Sequence, residues 1–595
     1  MSLQPADQQR RREWLIVAIL TLVGGLLRLQ GFGRIGLNHF DEGVYAFSGL
    51  WVLNRAGLGG LDPEVIAYAP PGFPILIGLA YAVLGVSDVA AVLVAIACGV
   101  ATIPVAAWLG RRTFGPGAGA AAAGFAALSL AHVAFSRKAL TDAPFLLTWF
   151  VAIGTAGRFL DRPGFLRALG LGLAVGVVQN VKYNGWVAGV VTIIAALGGL
   201  LGDPEARRPA AVTRTFGWGL FAAFVSALVY WPWFQFVEAH GGYADLIRHH
   251  RSYVGGLGSW RSHWHQQLGQ VVALSGSNGW GVLSGCVALA AAGLAAYGRA
   301  GLSVDRSASR TRRGIALLCG AAVVGLALIP EIGWWIGLGL SPVLLVGRSA
   351  AGRVLAAWWI VLSAMTPLYY PYARLWLPLH GASWLYLAAV ACALLQAPAA
   401  PSMRWPVFWT PRRVFAGVAV LASSILADRL VGGPRLPVRF PLSTVFAPTD
   451  ALKVVATEVN SPGVVPTDGP GVAVRVFGRR PLAFYLATRG RVPFGLVGGP
   501  DDIHRPPRAG EGWLLVDDAV DGPSSSDTGR TTFEDLGYTP VKSWQERPDG
   551  VTLLDQFPGA AYDARAATLS IRLLKPTLPS VSNPSAHVPL PGTGR

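Results

Sequence analysis

Two adjacent carboxylates, Asp41 and Glu42, follow the first apolar run of the sequence in a stretch that reads HFDEGVY. Ionisable side chains are costly near lipid, so carboxylates beside an apolar run require an explanation. Asp41 has the chemistry of a general base, or of a metal-facing carboxylate, that deprotonates an acceptor hydroxyl. A solvated loop pair or a helix cap would explain the same two residues without chemistry.

A second polar stretch reads SRKALTDAPF and begins at Ser136. Its cations, Arg137 and Lys138, would suit a phosphate leaving group, and Asp142 would suit a metal ion or an acceptor. Thr141 or Asp142 followed by Pro144 is also typical of a helix start. A helix start alone does not require two cations one turn earlier.

Two further stretches each place a cation among aromatic residues. Lys182 lies in QNVKYNGW, and Arg374 lies in YYPYARLWLP. Arg374 could hold a phosphate through two parallel hydrogen bonds while the neighbouring rings face a lipid or a sugar. A snorkelling lysine and an aromatic belt with one anchoring arginine are the alternatives. The tyrosines expected to face substrate or lipid are Tyr45, Tyr68, Tyr183, Tyr370 and Tyr372.

The stretch 238–267 holds five of the ten histidines, with arginines beside them. Its spacing matches no zinc signature, and no cysteine lies within it. We interpret it as a loop that faces the acceptor or a phosphate, with His249, His250 and Arg251 as its candidate residues.

The elements that must position these stretches are membrane helices. Of the 595 residues, 52% are hydrophobic and 14% are charged, whereas soluble proteins carry about 25% charged residues. The net charge of +17 does not indicate a nucleic-acid partner, because the arginines form short clusters between apolar runs. No Walker loop or dinucleotide fingerprint occurs, so the sequence gives no support to ATP- or NAD-driven chemistry.

Charge alternation predicts an α-helical polytopic membrane protein with about thirteen transmembrane helices. Arg10, Arg11 and Arg12 place the N-terminus in the cytoplasm, and parity makes the short apolar stretch 73–86 re-entrant or interfacial. An odd number of spans places the chain after Val431 outside. The predicted spans are 14–32, 88–110, 117–135, 143–160, 166–181, 184–201, 214–236, 270–297, 314–329, 331–346, 352–368, 376–396 and 413–430.

The C-terminal part changes character. Residues 432–575 are expected to form an extracytoplasmic α/β domain after a membrane domain of residues 1–431. Its strand-like pieces are Val472–Phe477, Trp513–Val516 and Val551–Leu554, and its helix-like pieces are Ala451–Val459 and Pro481–Ala487. The proline-rich residues 576–595 are expected to be disordered.

In order along the chain, these motifs resemble the GT-C superfamily of glycosyltransferases. The resemblance covers roughly residues 10–400, and it is closest to the protein O-mannosyltransferase and aminoarabinose-lipid A transferase branch. The motifs that carry it are Phe40-Asp41-Glu42 with Tyr45, Tyr68-Ala69-Pro70-Pro71, Arg137 with Thr141-Asp142-Ala143-Pro144, Lys182-Tyr183, and Tyr372-Ala373-Arg374 with Pro378.

The resemblance implies an inverting transferase that moves a sugar from a polyprenyl-phosphate donor to a hydroxyl of a lipid, glycan or protein on the extracytoplasmic face. It implies Asp41 as the base, with Glu42 beside it, and Asp142 as a second carboxylate. A divalent metal such as Mg²⁺ or Mn²⁺ would bind at Asp41 and Asp142. The donor phosphate would be bound by Arg137, Lys138, Lys182 and Arg374.

Ala69 departs from the lipid A branch, in which a lysine precedes the Pro-Pro pair. Phosphate binding would therefore depend more on the four cations above, and aminoarabinose transfer to lipid A is not implied. High Ala, Gly and Arg content indicates a bacterial source, which predicts the cytoplasmic membrane as the location. A flippase or transporter for a lipid-linked sugar, and a ligase of lipid-linked glycans, are the alternative functions.

Overall fold

The chain folds into two compact units. The helical unit comprises Met1–Leu37, Val44–Thr449 and Pro548–Ala567, and the sheet unit comprises Asn38–Gly43, Asp450–Arg547 and Thr568–Arg595. The computed structural model describes residues 5–54, 67, 69–275, 280–296, 332–396, 442–466, 474–490, 492–497, 507, 511–517, 533–556 and 568–577.

Helices make up most of the described chain, and apolar runs account for the long ones. Numbered along the sequence, they are α1 (Pro5–Leu29), α2 (Phe40–Asn54), α3 (Gly72–Leu84), α4 (Asp88–Phe114), α5 (Ala118–Leu128), α6 (Leu130–Ser136), α7 (Asp142–Asp161), α8 (Phe165–Val181), α9 (Val187–Gly202), α10 (Pro209–Ala239), α11 (Gly242–Arg251), α12 (Gly256–Ser275), α13 (Trp280–Ala296), α14 (Ile332–Leu345), α15 (Ala350–Met365), α16 (Leu377–Gln396), α17 (Leu442–Val445), α18 (Ala451–Val459), α19 (Arg480–Arg489) and α20 (Gly550–Gln556).

The predicted polytopic helical class is confirmed. Within the described residues, seven helices are long and apolar enough to cross a membrane, or eight if the bent pair α5–α6 is one span. The predicted spans 314–329 and 413–430 lie outside the described residues, so the number thirteen stays a prediction. Helix α3 has 13 residues, which is about 20 Å of helix. A hydrocarbon core is about 30 Å thick, so α3 is too short to span it, as charge parity predicted.

The predicted single span 270–297 is wrong in its bounds. Helix α12 already begins at Gly256 and ends at Ser275, and α13 begins at Trp280. The intervening sequence Gly-Ser-Asn-Gly consists of residues that disfavour a helix interior. Residues 276–279 themselves lie outside the described part of the chain.

A buried arginine stabilises the break between α5 and α6, which meet at 59°. The broken helix leaves carbonyl groups at the end of α5 without intrahelical donors. Arg28 donates to the carbonyls of Ala126 at 3.4 Å and Ala127 at 3.3 Å. Ser129 begins the next helix by accepting a hydrogen bond from the backbone of His132. The break directs the chain from α6 into the Arg137–Asp142 stretch.

Replacing Arg28 by Met should lower the thermal midpoint of the detergent-solubilised protein. The freed carbonyls would lose their donors in a low-dielectric interior, at a cost of about 1–3 kcal/mol. The exposed Arg11 on the same helix provides the control, because Arg11→Met should leave the midpoint unchanged. Equal midpoints for both variants would contradict the capping role of Arg28.

The sheet unit contains a mixed five-stranded sheet, which confirms the predicted α/β character of the C-terminal part. Its strands are β1 (Val474–Val476), β2 (Phe494–Leu496), β3 (Trp513–Asp517), β4 (Tyr538–Glu546) and β5 (Leu569–Pro576), in the spatial order β2-β1-β3-β5-β4. Strand β1 runs parallel to β2 and β3, whereas β5 runs antiparallel to β3 and β4. Helix α18 has the predicted bounds, and α19 contains the predicted helix 481–487.

The predicted strand Val551–Leu554 is wrong, because these residues lie in α20. Asp549 begins this helix: its carboxylate accepts hydrogen bonds from the backbone N–H groups of Val551 at 3.0 Å and Thr552 at 3.3 Å. A four-residue apolar run fits a strand and a buried helix equally well, so only the capping carboxylate distinguishes them.

The units also divide the C-terminal part differently from the predicted domain 432–575. Residues 548–567 belong to the helical unit, and the early segment 38–43 belongs to the sheet unit. Of the tail 576–595, which was predicted to be disordered, residues 578–595 lie outside the described part of the chain.

Candidate active site

The two carboxylates of the first motif have different environments. Glu42 is fully buried, and its carboxylate accepts hydrogen bonds from the backbone N–H groups of Asn38 at 2.9 Å and His39 at 2.8 Å. It therefore acts as a cap at the start of α2. Asp41 is half-buried, and its own N–H donates to Nδ1 of His39 at 3.1 Å. Asp41 is thus the stronger candidate for a base.

Lys182 and Asp142 form an ion pair that joins the second and third motifs. The Nζ atom of Lys182 lies 2.7 Å from Oδ1 of Asp142. Asp142 is the first residue of α7, where the helix dipole favours a negative charge. The ammonium group also lies 5.6 Å from the centre of the Phe145 ring. The carboxylate therefore fixes the lysine beside the start of α7.

Arg374 forms a second ion pair, with Asp555 near the end of α20. Its Nε atom lies 3.2 Å from Oδ2 of Asp555. The guanidinium group also stacks 4.8 Å from the centre of the Tyr372 ring. A carboxylate on one side and a ring on the other leave the flat guanidinium with a defined orientation.

In both ion pairs the cation is more exposed than the carboxylate. The side chains of Lys182 and Arg374 are 21% and 17% exposed, whereas their carboxylates, Asp142 and Asp555, are each 1% exposed. A buried carboxylate holds a cation that still reaches the surface. This arrangement can present positive charge to an anionic ligand.

Arg137 and Lys138, which were predicted to bind phosphate, are both buried and paired with groups of the protein itself. Lys138 lies 2.7 Å from Asp549 in an ion pair whose side chains are 2% and 5% exposed. Arg137 is buried and donates to the carbonyls of Arg28 and Gln30. These two cations connect the stretch after α6 to α20 and to the end of α1. Their role in phosphate binding stays a prediction that these contacts do not favour.

A path of ring contacts connects the Lys182 and Arg374 motifs through α11. The Tyr183 ring lies 5.8 Å from the His250 ring, and His249 lies 5.2 Å from His250 and 5.7 Å from Tyr253. Tyr253 in turn lies 6.4 Å from the Tyr372 ring. The structure therefore brings the third motif, the histidine-rich loop and the fourth motif together.

Burial lowers the pKa of His250, and the neighbouring His249 lowers it further. At neutral pH His250 is therefore an uncharged hydrogen-bonding group, whose Nδ1 atom lies 3.0 Å from the carbonyl oxygen of Leu246. Arg251 is exposed at the end of the same helix.

The predicted tyrosines differ in their other contacts and in their exposure. Tyr45 packs edge-on against Phe73 at 5.5 Å. The hydroxyl of Tyr183 accepts a hydrogen bond from the indole of Trp233 at 3.0 Å, and Tyr370 is 41% exposed. Tyr68 lies outside the described residues.

The predicted metal contacts of Asp41 and Asp142 have no supporting cluster in the part of the chain that the structure describes. No group of three His, Cys, Asp or Glu side chains there could hold a metal ion. In addition, an ammonium group occupies Oδ1 of Asp142. A divalent metal stays a prediction.

Sequence reasoning missed Asp549 and Asp555, the carboxylates at the two ends of α20. They lie far along the chain from their partners: Asp549 follows Lys138 by 411 residues. The run Val551–Leu554 has an aspartate near each end. Interpreting this run as a short helix would have made both aspartates candidates.

Residues 68–233 match the family described as dolichyl-phosphate-mannose-protein mannosyltransferase. This segment contains the Arg137–Asp142 stretch and Lys182, so the predicted resemblance is confirmed. Over this segment the chain is similar to GT-C membrane glycosyltransferases. No curated protein matches the sequence.

Three solved structures are similar to this chain at low identity. ArnT from Cupriavidus metallidurans bound to undecaprenyl phosphate is 16% identical, with 84% of this chain and 92% of that chain covered and a TM-score of 0.47. The oligosaccharyltransferase of Archaeoglobus fulgidus is 16% identical, with 80% and 62% covered and a TM-score of 0.46. The S. cerevisiae Pmt1-Pmt2 complex is 19% identical, with 38% and 33% covered and a TM-score of 0.32. At these TM-scores the likeness does not extend to side-chain roles.

A double-mutant cycle on Lys138 and Asp549 distinguishes structural pairing from phosphate binding. Lys138→Met should lower the free energy of unfolding by about 3–5 kcal/mol, because it leaves a buried carboxylate without its cation. The double variant Lys138→Met/Asp549→Asn should regain part of that stability and, with it, transfer activity.

The control for this cycle is Lys542→Met, which removes a cation from the exposed pair with Glu458. That change should have little effect on stability. A double variant that regains stability but no activity would show that Lys138 acts on the substrate.

Proposed function

We propose that this chain is an inverting glycosyltransferase that moves a sugar from a polyprenyl-phosphate donor to a hydroxyl acceptor on the extracytoplasmic face of a bacterial cytoplasmic membrane. The family match supports a lipid-phosphate sugar as the donor class, since the description of that family names dolichyl-phosphate-mannose. The predicted topology supports the outer face.

The observation that carries the proposal is the pair of partly exposed cations, Lys182 and Arg374, each held by a buried carboxylate. A prenyl phosphate needs positive charge for its headgroup and apolar or aromatic surface for its chain. The ring contacts that connect Tyr183, His250 and Tyr372 provide aromatic surface between the two cations.

The reaction forms one bond and breaks another. The acceptor oxygen attacks the anomeric carbon from the face opposite the phosphate, and the bond from that carbon to the phosphate oxygen breaks. Asp41 takes the acceptor proton, and polyprenyl phosphate leaves with the bonding electron pair. Lys182 and Arg374 stabilise the negative charge that grows on the phosphate, so their contacts strengthen in the transition state.

The buried carboxylates have a positioning role in this scheme. Asp142 and Asp555 keep their cations in place before the donor arrives, so little reorganisation is needed during the reaction. The ammonium group that occupies Asp142 makes this carboxylate a poorer metal ligand than the sequence suggested. No step here requires a metal ion.

Transfer of radiolabelled sugar from a polyprenyl-phosphate donor in proteoliposomes tests the function. The wild type should release labelled, covalently glycosylated acceptor, and Asp41→Asn should lose about 100-fold or more of that rate, because general-base catalysis contributes about 10²–10⁴-fold. Glu205→Gln, which changes an exposed carboxylate of the α9–α10 connection, is the matched control and should keep full activity.

Two outcomes would contradict the proposal. Labelled lipid that changes leaflet at equal rates in wild type and Asp41→Asn, without covalent transfer, would identify a flippase. Transfer of a whole lipid-linked glycan, and never of a single sugar, would identify a ligase.

A further inference from the structure

The segment that contains Asp41 is built into the sheet unit, although it precedes that unit by about 400 residues in the sequence. Residues 38–43 belong to the same compact unit as the described residues of 450–547 and 568–577. The contacts that make this connection converge on one residue, Asn38, and on the start of α2.

A buried arginine of the sheet unit fixes the backbone of Asn38. Arg479, which is 1% exposed, donates from Nη1 to the carbonyl oxygen of Asn38 at 2.9 Å. Its Nη2 atom lies 2.8 Å from Oε1 of Glu546, at the end of β4, and Glu546 is 2% exposed. A buried guanidinium with a buried carboxylate partner has little freedom to move.

The backbone of Asn38 is also held by Glu42. The N–H of Asn38 donates to the Glu42 carboxylate at 2.9 Å, while its C=O accepts from Arg479. Both the N–H and the C=O of Asn38 are therefore hydrogen-bonded to buried side chains. Asp41 lies between Asn38 and Glu42 in the sequence. The two contacts of Asn38 therefore restrict the position of the Asp41 backbone.

Helix α19 packs directly against the first turn of α2. A Cβ atom at Gly43 would lie 2.4 Å from the carbonyl carbon of Arg480 and from the nitrogen of Pro481, so only glycine allows this approach. The Arg480 guanidinium lies 5.8 Å from the centre of the Phe40 ring. The residues on both sides of Asp41 thus contact the start of α19.

We infer that Arg479 and Glu546 are positioning residues for Asp41. This inference rests on the proposed function, in which Asp41 is the base. Removal of the Arg479 contact would release the carbonyl of Asn38 and allow the Asp41 carboxylate to shift. A displacement of about 1 Å can cost about 100-fold in rate.

Steady-state kinetics and donor binding in detergent-solubilised full-length protein test this inference. Arg479→Met should lower kcat by about 10–100-fold, while the KM for the donor and the Kd for polyprenyl phosphate change by less than about threefold, because a base shifted out of place affects the chemical step. Arg479→Lys should be intermediate, since an ammonium group cannot reproduce the two-pronged contact. Arg479→Met/Glu546→Gln should lose no more than Arg479→Met alone, because the two residues act as one unit.

The control is Arg475→Met, which removes an arginine of β1 that pairs with Glu511 at 3.2 Å in the same unit. It should leave kcat unchanged. Thermal midpoints are measured for every variant, and Arg479→Lys, the milder change, provides the kinetic comparison if Arg479→Met fails to fold.

The outcomes separate this inference from the proposed function. If Asp41→Asn is inactive but Arg479→Met and Arg479→Lys keep the wild-type kcat, the positioning role is overturned and the proposed function stands. Equal losses of kcat in Arg479→Met and Arg475→Met would also overturn it. Such losses would show that any disturbance of the sheet unit lowers the rate. If Asp41→Asn is fully active, Asp41 is not the base, and both proposals fail.

Discussion

A cation can face a membrane-bound anion only if something keeps its long side chain in place, and here buried carboxylates have that role. Lys182 and Arg374 each reach the surface while Asp142 and Asp555 remain inside. Without these carboxylates the cations would sample many rotamers, and ordering them on substrate binding would cost free energy. The candidate active site therefore depends on two acidic residues that a donor does not need to touch.

The acidic partners come from remote parts of the sequence, so the helical unit is built from segments that lie far apart along the chain. Helix α20 supplies Asp549 to Lys138 and Asp555 to Arg374, so the helical unit is complete only after residue 555. The sheet unit likewise incorporates residues 38–43 through Arg479. Residues near the C-terminal end thus pair with segments that precede them by hundreds of residues.

Hydrophobic runs and charge clusters predicted the membrane class, the bounds of several long helices and the short α3, because lipid imposes length and polarity requirements on a sequence. They also singled out Lys182 and Arg374 as candidates, since a cation among aromatic residues at the end of an apolar run is recognisable locally. They could not separate Asp41 from Glu42, because capping depends on the backbone N–H groups of Asn38 and His39. They missed Asp555 and misinterpreted residues 551–554, because a short apolar run has no distinctive period and its partners are remote.

The central claim is that Lys182 and Arg374 bind the lipid phosphate, and native mass spectrometry of polyprenyl phosphate binding tests it most directly. Each charge-assisted hydrogen bond contributes about 1.5–3 kcal/mol. Lys182→Met and Arg374→Met should therefore each weaken binding by about 10- to 150-fold, while Arg208→Met, at an exposed cation of the α9–α10 connection, should leave it unchanged. Wild-type affinity in both Lys182→Met and Arg374→Met, in correctly folded protein, would contradict the account.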